Sequence, residues 1–389
     1  MNICMIATQV YPSATGSIIG GVAVSVFTIA NELNRRGFKV TLITSRPQIS
    51  SANKFSCNEF KIHLLDVKGE YLSTRYAIEF INKSIKKALS LYKDGNIEIV
   101  HTHSGYPQLG VIGYFLSKFY KIPTVHSQYC PVRAETDKLL IRLLTGNFLT
   151  RNFYLNVNKI IAISQNVRKS MESIRIAPQK IVVIPPPISE NFFNHEIKNG
   201  EIGHKESVTL LFVGNTSKEK GLMILLKAMK LLIKKENMKI NLVVVLHEHQ
   251  NKIAKVSDLI KELGISENVK ILGVVKDMPK LMSMCYAVVV PFTSTFGPSD
   301  YPLIIIEAAA LRKPIIASNI GGIKELIHHR VNGLLTKPSD YHSLAQTIKY
   351  LIENNELAVK LGENAAKNIE NFHVKKVVDQ LEKVYYSIA

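Results

Sequence analysis

Short apolar runs recur along the chain, each followed by a polar loop and then by a longer segment whose apolar residues fall three or four positions apart. The short runs read as buried strands and the longer segments as helices laid over them, the pattern of parallel sheets with crossover helices. In the first half the predicted strands are Asn2–Ala7, Lys39–Thr44, Ile97–Val100, Ile122–Val125, Lys159–Ile163 and Lys180–Ile184. The first leads through a loop holding Pro12, Gly16, Gly20 and Gly21 into a helix. Ala23, Val26, Phe27, Ala30 and Leu33 share one face of that helix, and Gly37 ends it. The runs ending at Val100 and Val125 are expected to open into polar loops, His101-Thr102-His103 and His126-Ser127-Gln128-Tyr129.

Three consecutive prolines, Pro185 to Pro187, can neither extend a strand nor start a long helix, so they mark a linker. Beyond it the same alternation restarts. Strands are predicted at Thr209–Gly214, Ile240–Leu246, Val269–Leu272, Ala287–Pro291 and Pro314–Ala317. Leu222, Leu225, Leu226, Met229 and Leu232 line one helix, and Val374, Val377, Val378, Leu381 and Val384 line the last. At 389 residues two cores are the natural expectation. The fold class is α/β, two Rossmann-like doubly wound domains facing a central cleft. The first domain is expected over 1–190 and the second over 191–372, with a last helix at 373–389.

Composition narrows the classes. No apolar window approaches a membrane span, and the first residues, MNICMIATQVYP, read as a strand and not as a signal peptide. Cys4, Cys57, Cys130 and Cys285 are scattered without a C-x-x-C pair, which points to a reducing, cytoplasmic setting and away from a structural zinc. Lys and Arg total 49 against 31 Asp and Glu, and residues 1–190 hold 23 of these bases against 11 acids. That field favours diphosphates or acidic membrane surfaces. Nucleic acid has only the charge in its favour, since no aromatic-basic motif accompanies it, and none is expected as a partner.

Candidate chemistry concentrates between Pro291 and Gly322. There a strand end, a Ser/Thr/Gly/Pro loop and an apolar helix carrying a single acid, Glu307, lead to a second strand that stops at Gly321-Gly322. A carboxylate among Leu303, Ile304, Ile305, Ile306 and three alanines costs desolvation energy unless a partner hydrogen-bonds it, and a ligand hydroxyl is one such partner. The helix start offers the amides of Leu303 and Ile304 to a phosphate. Gly20-Gly21 allows close backbone approach to a phosphate or sugar, and Lys220, in V-G-N-T-S-K-E-K-G, places a cation after a strand.

The loop, the F-G pair, L-I-I-I-E-A and the closing glycines resemble the nucleotide-sugar site of glycosyltransferase family 4, of the GT-B fold, and nearly the whole chain follows that family's motif order. The resemblance implies that Glu307 holds the donor ribose, that Lys220 and the Gly20-Gly21 and Leu303–Ile304 amides take the diphosphate charge, and that the C-terminal helix joins the first domain. It also shows departures. Asn215 stands where the family has Arg, Ser299 where it has a first glutamate that contacts the donor sugar, so that Ser299 or the adjacent Asp300 is expected to hold the sugar as a catalytic residue, and Tyr129 where many members have the sugar-facing His. His103 is counted as a cleft residue on the substrate side, and His126 either turns towards the substrate or packs in the core at its strand end.

The implied activity is retaining transfer from a nucleotide-diphosphate sugar to a hydroxyl acceptor, glycan, lipid-linked or small molecule. No cofactor is expected, because no D-x-D motif appears and neither His101/His103 nor His247-Glu248-His249 has an evident further ligand. The alternative is a degenerate scaffold that binds nucleotide sugar or a partner glycosyltransferase without turnover. Tyr76–Tyr92 and Leu139–Leu155, apolar segments interleaved with bases, are candidates for peripheral contact with an anionic membrane at its inner face, or else ordinary sheet-covering helices.

Overall fold

The computed structural model of the protein describes residues 1–10, 20–46, 59–69, 73–105, 109–132, 147–195, 208–246, 248, 250–295 and 299–389, with side chains of 147–150 excepted. Pro12, Gly16, Cys57, His247, His249, Phe296-Gly297 and residues 139–146 of the second amphipathic segment lie outside the described residues. The chain divides into two compact units. Unit 1 comprises Met1–Ile188, Ser299–Tyr301 and Phe372–Ala389, and unit 2 comprises Ser189–Pro298 and Pro302–Asn371.

Unit 1 is built on a seven-stranded parallel sheet. Its strands are β1 (Asn2–Ile6), β2 (Lys39–Ser45), β3 (Lys61–Leu65), β4 (Ile99–Ser104), β5 (Thr124–Gln128), β6 (Lys159–Ala162) and β7 (Ile181–Val183). The order is β3-β2-β1-β4-β5-β6-β7, so it reverses between β1 and β4. Around it lie α1 (Gly21–Arg35), α2 (Thr74–Lys93), α3 (Gly110–Tyr120), α4 (Asn147–Leu155) and α5 (Gln165–Ser173). β1 reads as one apolar run because a central parallel strand is covered on both faces, and Ile3 to Ile6 are fully buried.

Unit 2 repeats the plan with six parallel strands, β8 (Val208–Gly214), β9 (Ile240–Leu246), β10 (Val269–Leu272), β11 (Ala287–Val290), β12 (Ile315–Ser318) and β13 (Leu334–Thr336). Their order is β10-β9-β8-β11-β12-β13, and it reverses between β8 and β11. The helices that matter for the site are α6 (Leu222–Lys234) and α7 (Leu303–Ala310). The C-terminal helix α8 (Val374–Tyr386) belongs to unit 1. Its Val374, Val377, Val378 and Leu381 enter the same core as Val26, Ile29 and Leu33 of α1. Arg36 completes the joint, its guanidinium bonded to Glu32 (2.9 Å), Asp379 (2.6 Å) and Glu382 (2.9 Å).

Two expectations need correction. The strands beginning near Ile97 and Ile122 do not stop before their polar residues: β4 runs through His101, Thr102 and His103, and β5 through His126, Ser127 and Gln128. All of these side chains are buried, and they bond to one another, so the backbone stays extended without exposing polar groups. Of the apolar face expected along Tyr76–Tyr92, Ala88 is buried and Ile81, Ile85 and Leu89 are half-buried against the unit 1 core, but its centre lies elsewhere. Tyr76, Phe80, Ser84, Ala88 and Leu91 are buried, while Tyr92 is exposed and Arg75, Glu79, Lys83 and Lys86 line the outer surface around Ile78. That outer face is largely charged and solvated. β3 and β13, short and at the sheet edges, carry too little periodicity to stand out in the sequence.

Candidate active site

In a doubly wound sheet, ligands sit outside the carboxyl ends of the strands where the order reverses. In unit 2 that point lies between the loops leaving β8 and β11, which are hydrogen-bonded neighbours. The β8 loop is held by side chains. Asn215 Oδ1 accepts from the Ser217 N–H (3.1 Å), so the residue standing in for the family's arginine shapes the turn itself. Glu248 accepts from both the N–H (3.1 Å) and the hydroxyl (2.9 Å) of Thr216, and Lys252 pairs with its other oxygen at 3.0 Å. Burial pushes the Glu248 carboxyl up, but Lys252 and the two Thr216 bonds outweigh it and hold it below its ordinary value.

Lys218–Lys220 form one tight turn closed by Gly221 at φ +73°. A Cβ on Gly221 would lie 1.8 Å from the Pro291 carbonyl oxygen, so no larger residue fits without moving backbone. Thr293 fastens the two loops together, its N–H donating to Glu219 O and its hydroxyl to Lys218 O, each at 2.9 Å. The Lys220 ammonium consequently stands 4.2 Å from the centre of the buried Phe292 ring. The ring supports it as a cation–π partner, worth about 0.5–2 kcal/mol in general.

α7 follows on the same chain segment. Its N-cap is Pro302, which has no side-chain acceptor, so the first-turn amides at Leu303 and Ile304 have no side-chain cap. Glu307 lies one turn further on, retaining a little exposed surface, and burial pushes its carboxyl up to about 7. No hydrogen bond or ion pair of that carboxylate is found among the described residues. At the end of β12, Gly321 takes a left-handed φ of 48°, and Gly322 caps the short helix Ile323–Leu326.

In unit 1 the reversal lies between β1 and β4. Gly20 caps α1 at φ +96° with open space where a Cβ would be, and Gly21 is exposed beside it. The neighbouring ends of β4 and β5 carry a buried polar cluster. His101 bonds Tyr385 Oη (2.6 Å) and Ser127 Oγ (2.8 Å). His126 bonds Thr102 Oγ1 (2.8 Å) and Gln128 Oε1 (3.1 Å), and Tyr154 donates to the same Gln128 oxygen at 2.8 Å. An amide oxygen only accepts, so His126 carries its proton on Nε2. His103 Nδ1 meets the Tyr129 hydroxyl at 3.3 Å, and its buried Nε2 has no hydrogen-bond partner among the described residues. Burial lowers His103 to about 3, His126 to about 4 and His101 well below its ordinary value, while it raises Tyr129. The cluster is therefore neutral near pH 7.

Ser299 and Asp300 sit with this cluster. The Ser299 hydroxyl donates to Tyr301 O at 3.1 Å. The Asp300 N–H donates to Tyr129 O at 2.9 Å, and its carboxylate accepts from Ser164 Oγ and from Asn166 Nδ2 (2.9 Å). Both carboxylate oxygens of Asp300, the residue next to the family's first glutamate position, are thus engaged by the start of α5.

The structure brings Lys220, the β11 exit and α7 together in unit 2, and His103, His126, Tyr129, Ser299 and Asp300 together in unit 1. Glu248, Phe292 and Ser164 hold these groups in place, and only the close spacing of Thr216 and Lys220 to turn-forming residues hinted at such support in the sequence.

Comparison with known proteins agrees over most of the chain. Residues 194–368 match the family model of glycosyl transferases group 1, and residues 19–192 match that of glycosyltransferase family 4. An uncharacterized glycosyltransferase of Methanocaldococcus jannaschii is 24% identical over 381 residues, covering 97% of each chain. The alpha-monoglucosyldiacylglycerol synthase of Streptococcus pneumoniae is 24% identical, covering 92% of this chain and 83% of that one. The crystal structure of Anabaena HepE in complex with UDP and glucose is similar over 100% of both chains, with a TM-score of 0.77 at 19% identity. With one family model matching most of each half of the chain, it belongs to the group 1, family 4 glycosyltransferases and is a transferase of the GT-B fold.

Proposed function

We propose that the enzyme is a retaining glycosyltransferase that moves a hexosyl-type group from a nucleoside-diphosphate sugar to a hydroxyl of a glycan or lipid-linked acceptor. The observation that carries this reading is the joint between the β8 and β11 loops, where Lys220 is fixed over Phe292 beside the segment leading to the uncapped start of α7. A cation and free amides at a sheet's switch point suit a diphosphate. The relative solved with UDP and glucose supports a nucleotide-sugar donor, and the relative named as a glucosyldiacylglycerol synthase supports a lipid-linked acceptor.

In this reading Glu307 accepts hydrogen bonds from the donor ribose, which supplies a partner its carboxylate lacks among the described residues. The bond from the anomeric carbon to the diphosphate oxygen breaks, with its electrons leaving on the diphosphate. The acceptor oxygen bonds the same carbon on the same face, and its proton passes to the departing diphosphate. Lys220 and the amides at Gly20, Gly21, Leu303 and Ile304 stabilise the charge that grows on the leaving group, with no metal required. Asp300 is a positioning residue, since its carboxylate is bonded to Ser164 and Asn166. With Ser299 and Tyr129 in place of the usual charged or imidazole groups, the donor sugar is one altered around its 3/4- and 6-positions.

Calorimetry with UDP, GDP and ADP, followed by hydrolysis of the matching sugars, tests the reading. Selective nucleotide binding that Lys220→Ala and Glu307→Ala weaken is expected, with release of a sugar of retained anomeric configuration in a proton NMR time course. Nucleotide binding without turnover of any sugar would leave the non-enzymatic alternative, and selectivity for plain UDP-glucose would remove the altered-sugar proposal.

A further inference from the structure

We propose that Gln128 is a positioning residue for the substrate side of unit 1: its buried carboxamide ties the exits of β4 and β5 together and so fixes where His103 and Tyr129 stand. The proposal rests on the reading that these two residues face the substrates, and it concerns how they are held there.

Side chains alternate between the two faces of a strand, and parallel neighbours in register share a face. Thr102 lies opposite His126 and Ser104 opposite Gln128, while His101 pairs with Val125 and His103 with Ser127. This end of the sheet therefore carries a polar layer on each face. On one face His101 and His103, with ring centres 3.8 Å apart, meet Ser127, Tyr129 and Tyr385 of α8. On the other, Thr102, His126 and Gln128 meet Tyr154 of α4. Gln128 thus acts on His103 and Tyr129 from the opposite face, through the backbone.

Its carboxamide is fully used. A side-chain amide offers two N–H donors and one oxygen with two lone pairs. Here Nε2 donates to Gly105 O (3.1 Å) and to Cys130 O (2.8 Å), while Oε1 accepts from Tyr154 Oη (2.8 Å) and from His126 Nε2 (3.1 Å). The two carbonyls require the nitrogen, so the amide stands one way round. Thr102 extends the chain of bonds, its hydroxyl donating to His126 Nδ1 at 2.8 Å.

The last register pair of the two strands is Ser104 with Gln128, and the Tyr129 N–H still donates to Ser104 O at 3.0 Å. At the next carbonyls, those of Gly105 and Cys130, the Gln128 side chain takes the place of a strand neighbour. Gly105 lies two positions beyond His103, and Cys130 one beyond Tyr129. The exits pack closely, for a Cβ on Gly105 would lie 3.2 Å from Cys130 Sγ. An amide bonded to both exits is a spacer: neither can shift without giving up a buried hydrogen bond. Groups that act on a substrate need support of this kind, to within about 0.5 Å.

Gln128→Met, which keeps the volume and removes every bond, should be compared with Tyr154→Phe, which removes one bond to the amide and leaves both tethers. Hydrogen exchange is read at the Tyr129 and Asp300 amides, and kcat and KM are read for hydrolysis of the best nucleotide sugar. In Gln128→Met, exchange at both amides should quicken roughly tenfold or more. Its kcat should fall roughly tenfold or more, while KM and the calorimetric affinity for the free nucleoside diphosphate stay within about twofold. Tyr154→Phe should leave these values near those of the unaltered protein even though it lowers the urea midpoint. Gln128→Asn, whose amide is one methylene short of spanning the exits, replaces Gln128→Met if that variant does not fold, and should move exchange and kcat the same way. Equal exchange in the Gln128 and Tyr154 variants, or quicker exchange with unchanged kcat, overturns the proposal and leaves the transferase reading intact. An unaltered protein that hydrolyses no donor removes the transferase reading instead, and the exchange comparison then upholds or overturns the tie by itself.

Discussion

The hydroxyl of Ser164 donates to the carboxylate of Asp300, 136 residues further along the chain. Ser164 is also the N-cap of α5, accepting from the Val167 N–H at 3.0 Å, so one hydroxyl serves a helix start and a buried acid together. Asn166 takes the other Asp300 oxygen, and the Asp300 N–H is held by Tyr129 O. Three bonds pin the segment that leads directly to Pro302 and α7. Asp300 is thus an anchor of that segment, and replacing it should lower stability.

Asp300→Ala should lower stability by about 1.5–3 kcal/mol, the usual loss for hydrogen bonds to a buried charged group. Ser164→Ala loses a cap as well as a donor and should cost at least as much. A double-mutant cycle in urea, using Ser164→Ala and Asp300→Asn, should give a coupling energy of about 0.5–3 kcal/mol. Additive losses would mean that the two side chains do not share a bond.

Gly221→Ala should fail at the β8 loop. The substitution places a methyl 1.8 Å from Pro291 O in a left-handed backbone, so it should cost more than about 1 kcal/mol in thermal or urea melts. Lys220→Ala should cost about 0.5–2 kcal/mol in the melt through the lost Phe292 contact and reduce nucleoside-diphosphate affinity by roughly tenfold, the effect of one charge-assisted hydrogen bond. Phe292→Leu should give a smaller loss of the same kind. Calorimetry with a nucleoside diphosphate and with the corresponding nucleoside separates the cases, because only the diphosphate should respond to Lys220.

The buried histidines make the fold sensitive to acid. His126 and His103 titrate near 6.5 when unfolded but are held at about 4 and about 3 in the fold, principally by burial. Between those values the unfolded chain binds more protons than the folded one, so stability is full above pH 6.5 and falls as the pH drops towards 3–4. Each such histidine contributes about 1.4 kcal/mol per pH unit across its window. Urea midpoints measured from pH 7.5 to 4 should show this slope, and a slope that is flat through pH 6 would contradict the neutral cluster.

Glu307 should act in the opposite sense. Its carboxyl moves from 4.5 when unfolded to about 7 when folded, with burial as the cause. The stability this confers is complete below pH 4.5 and is lost as the pH rises through 7. Glu307→Gln should accordingly be more stable than the unaltered protein at pH 8, by about 2 kcal/mol, and yet bind nucleotide more weakly. A variant that is both less stable at pH 8 and unchanged in nucleotide affinity would make Glu307 a structural acid.

What the sequence by itself determined was the alternation that builds two parallel sheets, the glycine pair Gly20-Gly21 that opens a helix, and the isolated acid in the apolar helix. These are local properties. A period of apolar residues or a left-handed turn is set by neighbours a few positions away, so a short window contains its cause. What only the tertiary structure decided was how the polar residues are used. His101 extends a strand because Tyr385, 284 residues distant, reaches its ring, and the Asp300 carboxylate is committed because Ser164 and Asn166 stand beside it. Whether a buried polar group is core, anchor or ligand contact depends on which hydrogen-bond partner meets it, and for these groups the partner lies far along the chain and meets it only in the folded unit 1.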